Sequence, residues 1–426
     1  MLFPWPLGKP LDRPPMVDED FQGGEMRAIQ TVTDVNLAER SVLLRVDFNV
    51  PLKDGQVMDD TRIREALPTI RHLLKRSAKV ILMSHLGRPD GQVDLRYSLR
   101  PVARELSKLL SRPVLFIENC IGADVGQKLE ELDEGSVILL ENLRFHGGEE
   151  ANDPAFAAQL ASYGDAYVND AFGSAHRAHA STVGVPALLP IKVAGFLMQK
   201  ELDFLGAKTA QPERPFTVIL GGLKVGDKIG VIDALLDRCD CMLIGGAMAF
   251  TFLKAMGMDV GKSPVEKDRL EDVVHAMEKA KKLGVELLLP VDTLCTDRLD
   301  LAAGTVGELR QWTGSIVEDG WIGVDIGQLT VERYARAIAA AKTIFWNGPM
   351  GIFEIESCSK GTFAIAGHVA DADATSIIGG GDSVRAIHQS GRVEDITFIS
   401  TGGGASLEFL EGKVLPGVAA LNSKDA

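Results

Sequence analysis

Five arginines lie at or beside the ends of apolar runs, or at helix starts, in the first half of the sequence: Arg45, Arg62, Arg88, Arg144 and Arg177, with His85 and His179 nearby. A guanidinium is a rigid fork of donors that matches phosphate and carboxylate oxygens. Asp47 and Asn49 alternate with Arg45 along one strand and would accept hydrogen bonds from a ligand hydroxyl. The set predicts a site for a small anion; the alternative is surface arginines paired with abundant acidic residues.

Glycine-rich turns follow apolar runs in the second half, at GGLKVGDK (221–228), IIGGGDS (377–383) and ISTGGGAS (399–406). Glycines let the backbone approach a ligand, and helix N-termini bind phosphate through their N–H groups. Lys224 and Lys228 stand four residues apart at a predicted helix start. The Asp382 carboxylate would be an oxygen ligand for Mg²⁺, completed by phosphate oxygens. These turns predict a nucleotide site, although any one of them alone could be only a turn.

Two other motifs are weaker than they look. His176 and His179 have the spacing of zinc ligands, but no third ligand follows in an obvious pattern, so we do not expect a metal there. Residues 257–263 (GMDVGKS) resemble a P-loop, but three residues separate the glycines where the motif needs four. The other glycine-rich turns lack G-x-G-x-x-G, which weakens the case for a dinucleotide dehydrogenase.

Short apolar runs alternating with helical patterns must position these residues. The runs are 41–50, 78–85, 136–143, 165–170, 216–222, 241–246, 285–292, 343–349, 375–381 and 396–404. Continuous Val, Ile and Leu runs are typical of parallel strands buried on both faces, and the helix predicted over 61–76 carries an apolar stripe of Ile63, Leu67, Ile70 and Leu74. This alternation predicts an α/β protein with two Rossmann-like three-layer αβα domains and parallel sheets.

The chain divides near a short amphipathic stretch, MQKELDFLGAKT (198–209), followed by a proline-marked boundary. We predict an anion-binding domain over 27–195, a linking helix over 196–209, a nucleotide-binding domain over 210–412 and a segment over 413–426 that returns to the first domain. Ligands of open α/β sheets sit at the carboxyl ends of the strands, so the two sets of residues should face one cleft.

Composition excludes several classes of protein. At 426 residues the chain is too long for one comfortable core, and its net charge of −14 argues against a nucleic-acid or anionic-membrane binder. No run approaches the ~18 apolar residues that span a bilayer. The five cysteines (Cys120, Cys239, Cys241, Cys295, Cys358) are scattered, as in a reduced cytoplasmic protein.

Residues 1–26 differ from the rest. They carry five prolines and an acidic cluster without apolar periodicity, and they lack the pattern of a signal or transit peptide. We expect an extension that is disordered or loosely attached. A second hypothesis is that Met26 is the true start.

Long motifs in a fixed order resemble the phosphoglycerate kinase family. They are RVDFNVP (45–51), SHLGRPDG (84–91), LLENLRFH (139–146), NDAFGSAHRAHAS (169–181), GGLKVGDKI (221–229), GGAMAFTFL (245–253), FWNGPMGIFE (345–354), GGGDS (379–383) and STGGGASLEFLEGKVLPGV (400–418). The resemblance covers roughly residues 27–420. It implies reversible, Mg²⁺-dependent phosphoryl transfer between ATP and the carboxylate of 3-phosphoglycerate, giving ADP and 1,3-bisphosphoglycerate. The resemblance also implies a monomeric enzyme that acts in glycolysis and gluconeogenesis.

The resemblance also assigns residues. The implied 3-phosphoglycerate contacts are Arg45, Asp47, Phe48, Asn49, Arg62, His85, Leu86, Gly87, Arg88, Arg144 and Arg177. The implied nucleotide contacts are Lys228, Gly245, Gly323, Glu354, Gly380, Gly381, Asp382 and Ser383, with Glu354 near the ribose and Asp382 on Mg²⁺. The implied catalytic groups are Arg62, Lys224, Gly381 and Gly404.

This chemistry agrees with the residues present. A carboxylate acceptor with a pKa of roughly 4 is already ionised at pH 7, so no general base is required. Catalysis would consist of positioning and of neutralising the charge on the transferring group, with water excluded by closure of the two domains.

The sequence departs from the family pattern at three places. Phe398 stands where many relatives have His, Gln328-Leu329 replaces the more usual Pro and polar residue, and Leu223 is often smaller. Two alternative functions stay open: another acyl-phosphate transferase with a different acidic substrate, and a catalytically silent nucleotide-binding protein. The presence of Arg62, Lys224 and Asp382 argues against a silent protein.

Overall fold

The computed structural model describes residues 29–314 and 316–422. The extension predicted over 1–26, and with it the hypothesis about Met26, lies outside these residues, as do the last four residues of the predicted C-terminal segment.

The first half is built on a parallel sheet of buried apolar strands. Its strands are β1 (Ser41–Val46), β2 (Leu52–Lys53), β3 (Gln56–Val57), β4 (Lys79–Met83), β5 (Leu115–Ile117), β6 (Val137–Leu140), β7 (Ala166–Asp170) and β8 (Ile191–Ala194). Its helices are α1 (Thr61–Leu74), α2 (Arg100–Leu110), α3 (Ala123–Glu130), α4 (Gly147–Glu150), α5 (Pro154–Ala161) and α6 (Val185–Leu188). Six strands form the sheet in the order β5-β6-β4-β1-β7-β8, and β2 and β3 form a separate hairpin. The order reverses between β1 and β7, where a crevice is expected.

A helical segment joins the two halves. It consists of α7 (Phe196–Leu202), a π-helical stretch over Asp203–Ala207 and α8 (Lys208–Ala210). Asp170, at the end of β7, accepts hydrogen bonds from the N–H groups of Leu197 and Met198 at 2.9 and 3.2 Å. This contact holds the start of α7 against the carboxyl edge of the first sheet.

The second half repeats the plan with an insertion. Its strands are β9 (Phe216–Leu220), β10 (Cys241–Ile244), β11 (Glu286–Leu288), β12 (Asp292–Thr296), β13 (Leu299–Asp300), β14 (Thr305–Val306), β15 (Leu309–Thr313), β16 (Ile322–Ile326), β17 (Thr343–Asn347), β18 (Thr375–Gly379) and β19 (Phe398–Ile399). Its helices are α9 (Ile229–Leu236), α10 (Met248–Ala255), α11 (Leu270–Leu283), α12 (Gln328–Ala340), α13 (Lys360–Asp371), α14 (Gly381–Ser390), α15 (Gly404–Leu410) and α16 (Pro416–Ala419).

The main sheet of this half has the order β11-β10-β9-β17-β18-β19, with every pair parallel. Counted along the chain within the sheet, this is the 3-2-1-4-5-6 order of a Rossmann fold, with the crevice between β9 and β17. The predicted class, an α/β protein with two parallel-sheet units, is confirmed, although the outer strands of the first sheet are ordered differently.

Sequence patterning missed the short and antiparallel strands. β12, β15 and β16 form a three-stranded antiparallel sheet, and the single run predicted at 285–292 is divided between β11 and β12. β5 and β8 are edge strands of three and four residues. Edge strands need no long apolar run, because one side of each meets no neighbouring strand. Among the described helices, none combines the length and apolar character needed to cross a membrane.

Candidate functional site

The loop after β1 carries the side chains of Asp47 and Asn49 beside α1. Arg62, in the first turn of α1, places Nη1 2.5 Å from Oδ2 of Asp47. Burial alone would raise the pKa of Asp47, but the charges of Arg62 and Arg45 and a hydrogen bond from the N–H of Asn49 outweigh it and lower the pKa to about 2. Asp47 is therefore ionised at neutral pH and can accept a hydrogen bond from a ligand hydroxyl.

Gly87 ties this loop to the next one. Its N–H donates to Oδ1 of Asn49 at 3.0 Å, and its carbonyl accepts from Nη1 of Arg144 at 2.8 Å. Its φ is +61°, and a Cβ at this position would lie 2.2 Å from the ring of Tyr97, so glycine is required here. Arg144 also pairs with Glu150 at 3.0 Å, which fixes the guanidinium from behind.

Arg45, which we predicted to contact the ligand, is bound within the protein in this structure. Its side chain is only 1% exposed. The guanidinium donates to the hydroxyls of Ser181 and Ser174 at 2.8 and 3.4 Å and to the carbonyl of Val46, and it lies 3.2 Å from Nδ1 of His85. These contacts tie Arg45 to the loops that carry Ser174, Ser181 and His85.

Phe48 and Leu86, also predicted as ligand contacts, could reach a ligand only through their backbone. Both side chains are buried in the core on one face of the first sheet. The N–H of Phe48 donates to Ser84 Oγ at 2.9 Å, and that of Leu86 to Asn142 Oδ1 at 3.2 Å. These two residues shape the loops, and neither side chain reaches a ligand.

Arg88 and Arg177 complete the cluster. Arg88 is exposed, and within the described residues its side chain has no hydrogen-bond or ion-pair partner. Arg177 donates through Nε to Nε2 of His176 at 3.2 Å. Burial, followed by the charges of Arg144, Arg45 and Arg177, lowers the pKa of His179 to about 4. The cations of this cluster at pH 7 are therefore its arginines.

Burial also lowers the pKa of His85 and of His176, so these rings are neutral at pH 7. The described residues contain no group of His, Cys, Asp and Glu side chains that could hold a metal ion by itself.

The first glycine-rich turn of the second half leads into α9. The helix begins at Ile229, with Lys228 at its N-cap, so Lys224 lies in the loop before the helix. Lys224 is exposed, and no partner holds its ammonium group within the described residues. It is free to reach a ligand at the carboxyl edge of the second sheet.

Lys228 is held at the crevice between β9 and β17. Its Nζ donates to the carbonyl of Asn347 at 3.1 Å and to the Oδ1 of the same residue. Burial lowers its pKa to about 8, although Asp382 and Asp227 act in the opposite direction. Because pH 7 lies just below this pKa, most Lys228 side chains are still charged at pH 7.

Asn347 is a site residue that sequence reasoning missed. It ends β17, is 2% exposed, and its buried Nδ2 has no hydrogen-bond partner among the residues that the structure describes. A Cβ placed on Gly380 would lie 2.8 Å from this nitrogen. An unused buried donor beside a glycine turn is suited to an anionic oxygen. The signal was available, because Asn347 follows an apolar run at a strand end.

The turn after β18 opens α14. Gly380 has a φ of +86° and Gly381 is the first helical residue, with no atom within 4 Å of where its Cβ would lie; Asp382 follows in the first turn. Ser383 stays a predicted ligand contact, and its buried hydroxyl accepts from the N–H of Gly348 at 2.5 Å. Ser383 therefore holds the neighbouring turn in shape.

Gly245 and Gly323 are required by packing. A Cβ on Gly245 would meet Met350 at 2.4 Å, and one on Gly323 would meet the ring of Phe250 at 2.1 Å. Neither glycine offers a side chain, so each can serve a nucleotide only as backbone surface. Glu354 is half-exposed and forms an ion pair with Arg385 at 2.7 Å.

The third glycine-rich turn touches both halves of the molecule. Gly404 is the exposed first residue of α15, and the carbonyl of Thr401 accepts from Nη2 of Arg62 at 3.4 Å. Phe398, the residue that departs from the family pattern, stacks on Phe204 of the linking segment with ring centroids 4.5 Å apart. This turn brings the arginine cluster next to the glycine-rich edge of the second sheet.

Comparison with known proteins decides the family. The family model described as phosphoglycerate kinase matches residues 32–413. The chain belongs to the phosphoglycerate kinase family. The phosphoglycerate kinase of Rubrobacter xylanophilus is 54% identical over 396 residues, covering 93% of this chain and 99% of its own. That of Microcystis aeruginosa is 53% identical over 401 residues, covering 93% and 99%.

Solved structures agree with this assignment. The phosphoglycerate kinase of Coxiella burnetii superimposes with a TM-score of 0.83 at 40% identity, covering 92% of this chain and 98% of that chain. The enzyme of Pyrococcus horikoshii gives 0.80 at 36% identity, with the same coverage. The expected function, that of a phosphoglycerate kinase and thus of a carboxyl-group phosphotransferase, is confirmed, and no finding favours the catalytically silent alternative.

Proposed function

We propose that the unit around the first sheet (27–195) binds 3-phosphoglycerate and that the unit around the second (210–412) binds ATP or ADP with Mg²⁺. Arg62, Arg88, Arg144 and Arg177 would hold the phosphate and carboxylate of the substrate, while Asp47 and Asn49 accept from its hydroxyl. Lys228, Asn347 and the N–H groups at the start of α14 would hold the nucleotide phosphates.

The observation that carries this proposal is the contact between Arg62 and Thr401. Arg62 Nη1 pairs with Asp47 in the first unit, and its Nη2 donates to Thr401 in the second. One guanidinium thus lies between the two halves of the site. A group passing from one substrate to the other must pass close to it.

The metal assignment rests on a single carboxylate. Asp382 lies in the first turn of α14 with its side chain 64% exposed. This exposure suits Mg²⁺, because the ion usually takes one or two carboxylates from the protein and fills its other positions with water and phosphate oxygens. A bound Mg²⁺ would neutralise charge on the phosphate oxygens. Asp382 would orient it, and the acidic residues elsewhere on the chain would take no part.

The protein groups then act by positioning and charge. The acceptor carboxylate is already ionised, so no side chain has to remove a proton. Arg62 and Lys224 would neutralise the equatorial oxygens of the transferring phosphoryl group, together with N–H groups at Gly381 and Gly404. Movement of the two units about the 196–209 segment would exclude water from the acyl phosphate. We further propose that the enzyme acts as a cytoplasmic monomer.

A paired binding experiment tests the division of labour. Arg88→Ala should weaken the binding of 3-phosphoglycerate, measured by calorimetry, and leave the binding of Mg·ADP unchanged. Lys228→Met should do the reverse. Loss of both ligands from either variant, in protein that keeps its wild-type unfolding midpoint, would contradict separate sites.

A further inference from the structure

One guanidinium connects the two carboxylates on the nucleotide side. Arg385 lies in the first turns of α14, three residues after Asp382. Its Nη2 lies 2.7 Å from Oε1 of Glu354 and 3.1 Å from Oδ1 of Asp382. The guanidinium carbon sits 4.7 Å from the centroid of the Phe353 ring, so the side chain also has an aromatic surface beneath it.

This arrangement puts a cation where a metal is expected. Asp382 is the carboxylate assigned to Mg²⁺ above, and Glu354 is the one assigned to the ribose. We propose that Arg385 determines how the nucleotide site distinguishes metal-free from Mg²⁺-bound nucleotide. Its guanidinium pairs with Asp382 when the metal is absent and must release Asp382 when Mg·nucleotide binds. The proposal rests on the proposed function, in particular on the metal role of Asp382.

The geometry makes the release local. All three charged side chains are about half exposed or more, so the ion pair with Asp382 is weak enough to exchange. The contacts with Glu354 and Phe353 do not involve Asp382 and can persist after it is released. Arg385 would then stay beside the bound nucleotide and offset the negative charge of Glu354, which otherwise repels phosphate.

Two consequences follow for the variant Arg385→Ala. Metal-free ADP should bind more weakly, because Glu354 and Asp382 lose their counter-ion. Mg²⁺ should improve ADP binding by a larger factor than in the wild type, because the metal no longer competes with a cation for Asp382. The measured quantity is the ratio of the ADP dissociation constant in EDTA to that in Mg²⁺, obtained by calorimetry without turnover.

We expect this ratio to rise about two- to fivefold in Arg385→Ala, the range that a half-exposed ion pair supports. Arg385→Lys keeps a cation and should return the ratio towards the wild-type value. The matched control is Arg392→Ala: Arg392 pairs with Asp371 and Asp395, away from Glu354 and Asp382, so its loss should leave the ratio unchanged.

The variant Asp382→Asn distinguishes this proposal from the proposed metal role of Asp382, on which it rests. If Asp382→Asn abolishes the benefit of Mg²⁺ and Arg385→Ala raises it, the competition is supported. If Asp382→Asn abolishes it but Arg385→Ala leaves the ratio unchanged or lowers it, the competition is overturned and the metal site stands. If Asp382→Asn keeps the full benefit of Mg²⁺, the metal assignment fails and the role of Arg385 fails with it.

Discussion

Nη1 of Arg62 lies 2.5 Å from Oδ2 of Asp47, while Nη2 of the same guanidinium donates to the carbonyl of Thr401 at 3.4 Å. The first contact belongs to the substrate loop and the second to a glycine-rich turn of the other half of the chain. A rigid planar group is suited to this role, since its donors are fixed relative to one another. The two contacts of Arg62 therefore connect the proposed substrate site to the proposed nucleotide site.

Lys224→Ala should lower kcat by about 10²-fold or more, because an exposed ammonium without a partner is the mobile charge available to the transferring phosphoryl group. A coupled assay with ATP, Mg²⁺ and 3-phosphoglycerate measures this. Lys342→Ala is the control. Lys342 lies just before β17, at the opposite edge of the sheet, and pairs with Asp373. A raised KM with unchanged kcat would show that Lys224 binds only the ground state.

Arg144→Ala should raise the KM for 3-phosphoglycerate by about tenfold or more, the loss typical of a hydrogen bond to a charged group. Its guanidinium also holds the carbonyl of Gly87, so some loss of stability should accompany the change. Arg112→Ala is a matched control, because Arg112 donates to the carbonyl of Gly135 at the amino ends of the strands. An unchanged KM would place Arg144 outside the site.

Binding of Mg·ADP should weaken as the pH rises through about 8, where Lys228 loses its proton. Its charged form binds phosphate and is present below that pH. Calorimetric titrations between pH 6.5 and 9.5 would detect the break. Lys228→Arg stays charged throughout and should remove it. An identical break in the arginine variant would assign the titration to another group.

Asp170 should make the protein less stable as the pH rises from about 4 to about 7. Burial raises its pKa to about 7, and its Oδ2 has no partner among the described residues. The folded state therefore holds a proton that the unfolded chain, with a pKa near 4, has lost. This contribution is complete below the unfolded pKa and disappears above the folded one.

Asp170→Asn cannot titrate, and its Oδ1 can still accept from Leu197 and Met198. Relative to the wild type, its free energy of unfolding should increase by about 2 kcal/mol between pH 5 and pH 8. Urea unfolding at both values measures this difference. Asp373→Asn is the control: this exposed carboxylate has a pKa lowered by Lys342 and is ionised at both values. A constant offset for Asp170→Asn would contradict the prediction.

Much of the fold was predictable because buried parallel strands are continuous apolar runs. Each of the ten predicted runs contains or overlaps a strand of the structure. The edge strands β5 and β8 and the antiparallel β12, β15 and β16 were missed. They are short or carry polar residues such as Asp292, Thr293 and Gln311, so they lack a continuous apolar run and their pairing depends on partners distant in sequence.

The site residues stay predictions, and residue type alone indicated part of their surroundings. Arg88 and Lys224 are exposed cations, and Gly87 and Gly380 have positive φ angles that favour glycine. The sequence could not show which partners a side chain finds. Arg45 and Ser383, predicted as ligand contacts, hydrogen-bond to neighbouring loops, while Asn347 was overlooked.

The sequence by itself determined the family, the fold class and the absence of any need for a general base, since ordered motifs and an ionised acceptor are properties of residue type. Only the tertiary structure decided which donors are free. Arg45 and Arg88 are chemically identical, yet one has its guanidinium bound beneath the loops and the other is exposed. Burial and partners decide whether a charge is available, and both depend on residues that the fold brings together from far along the chain.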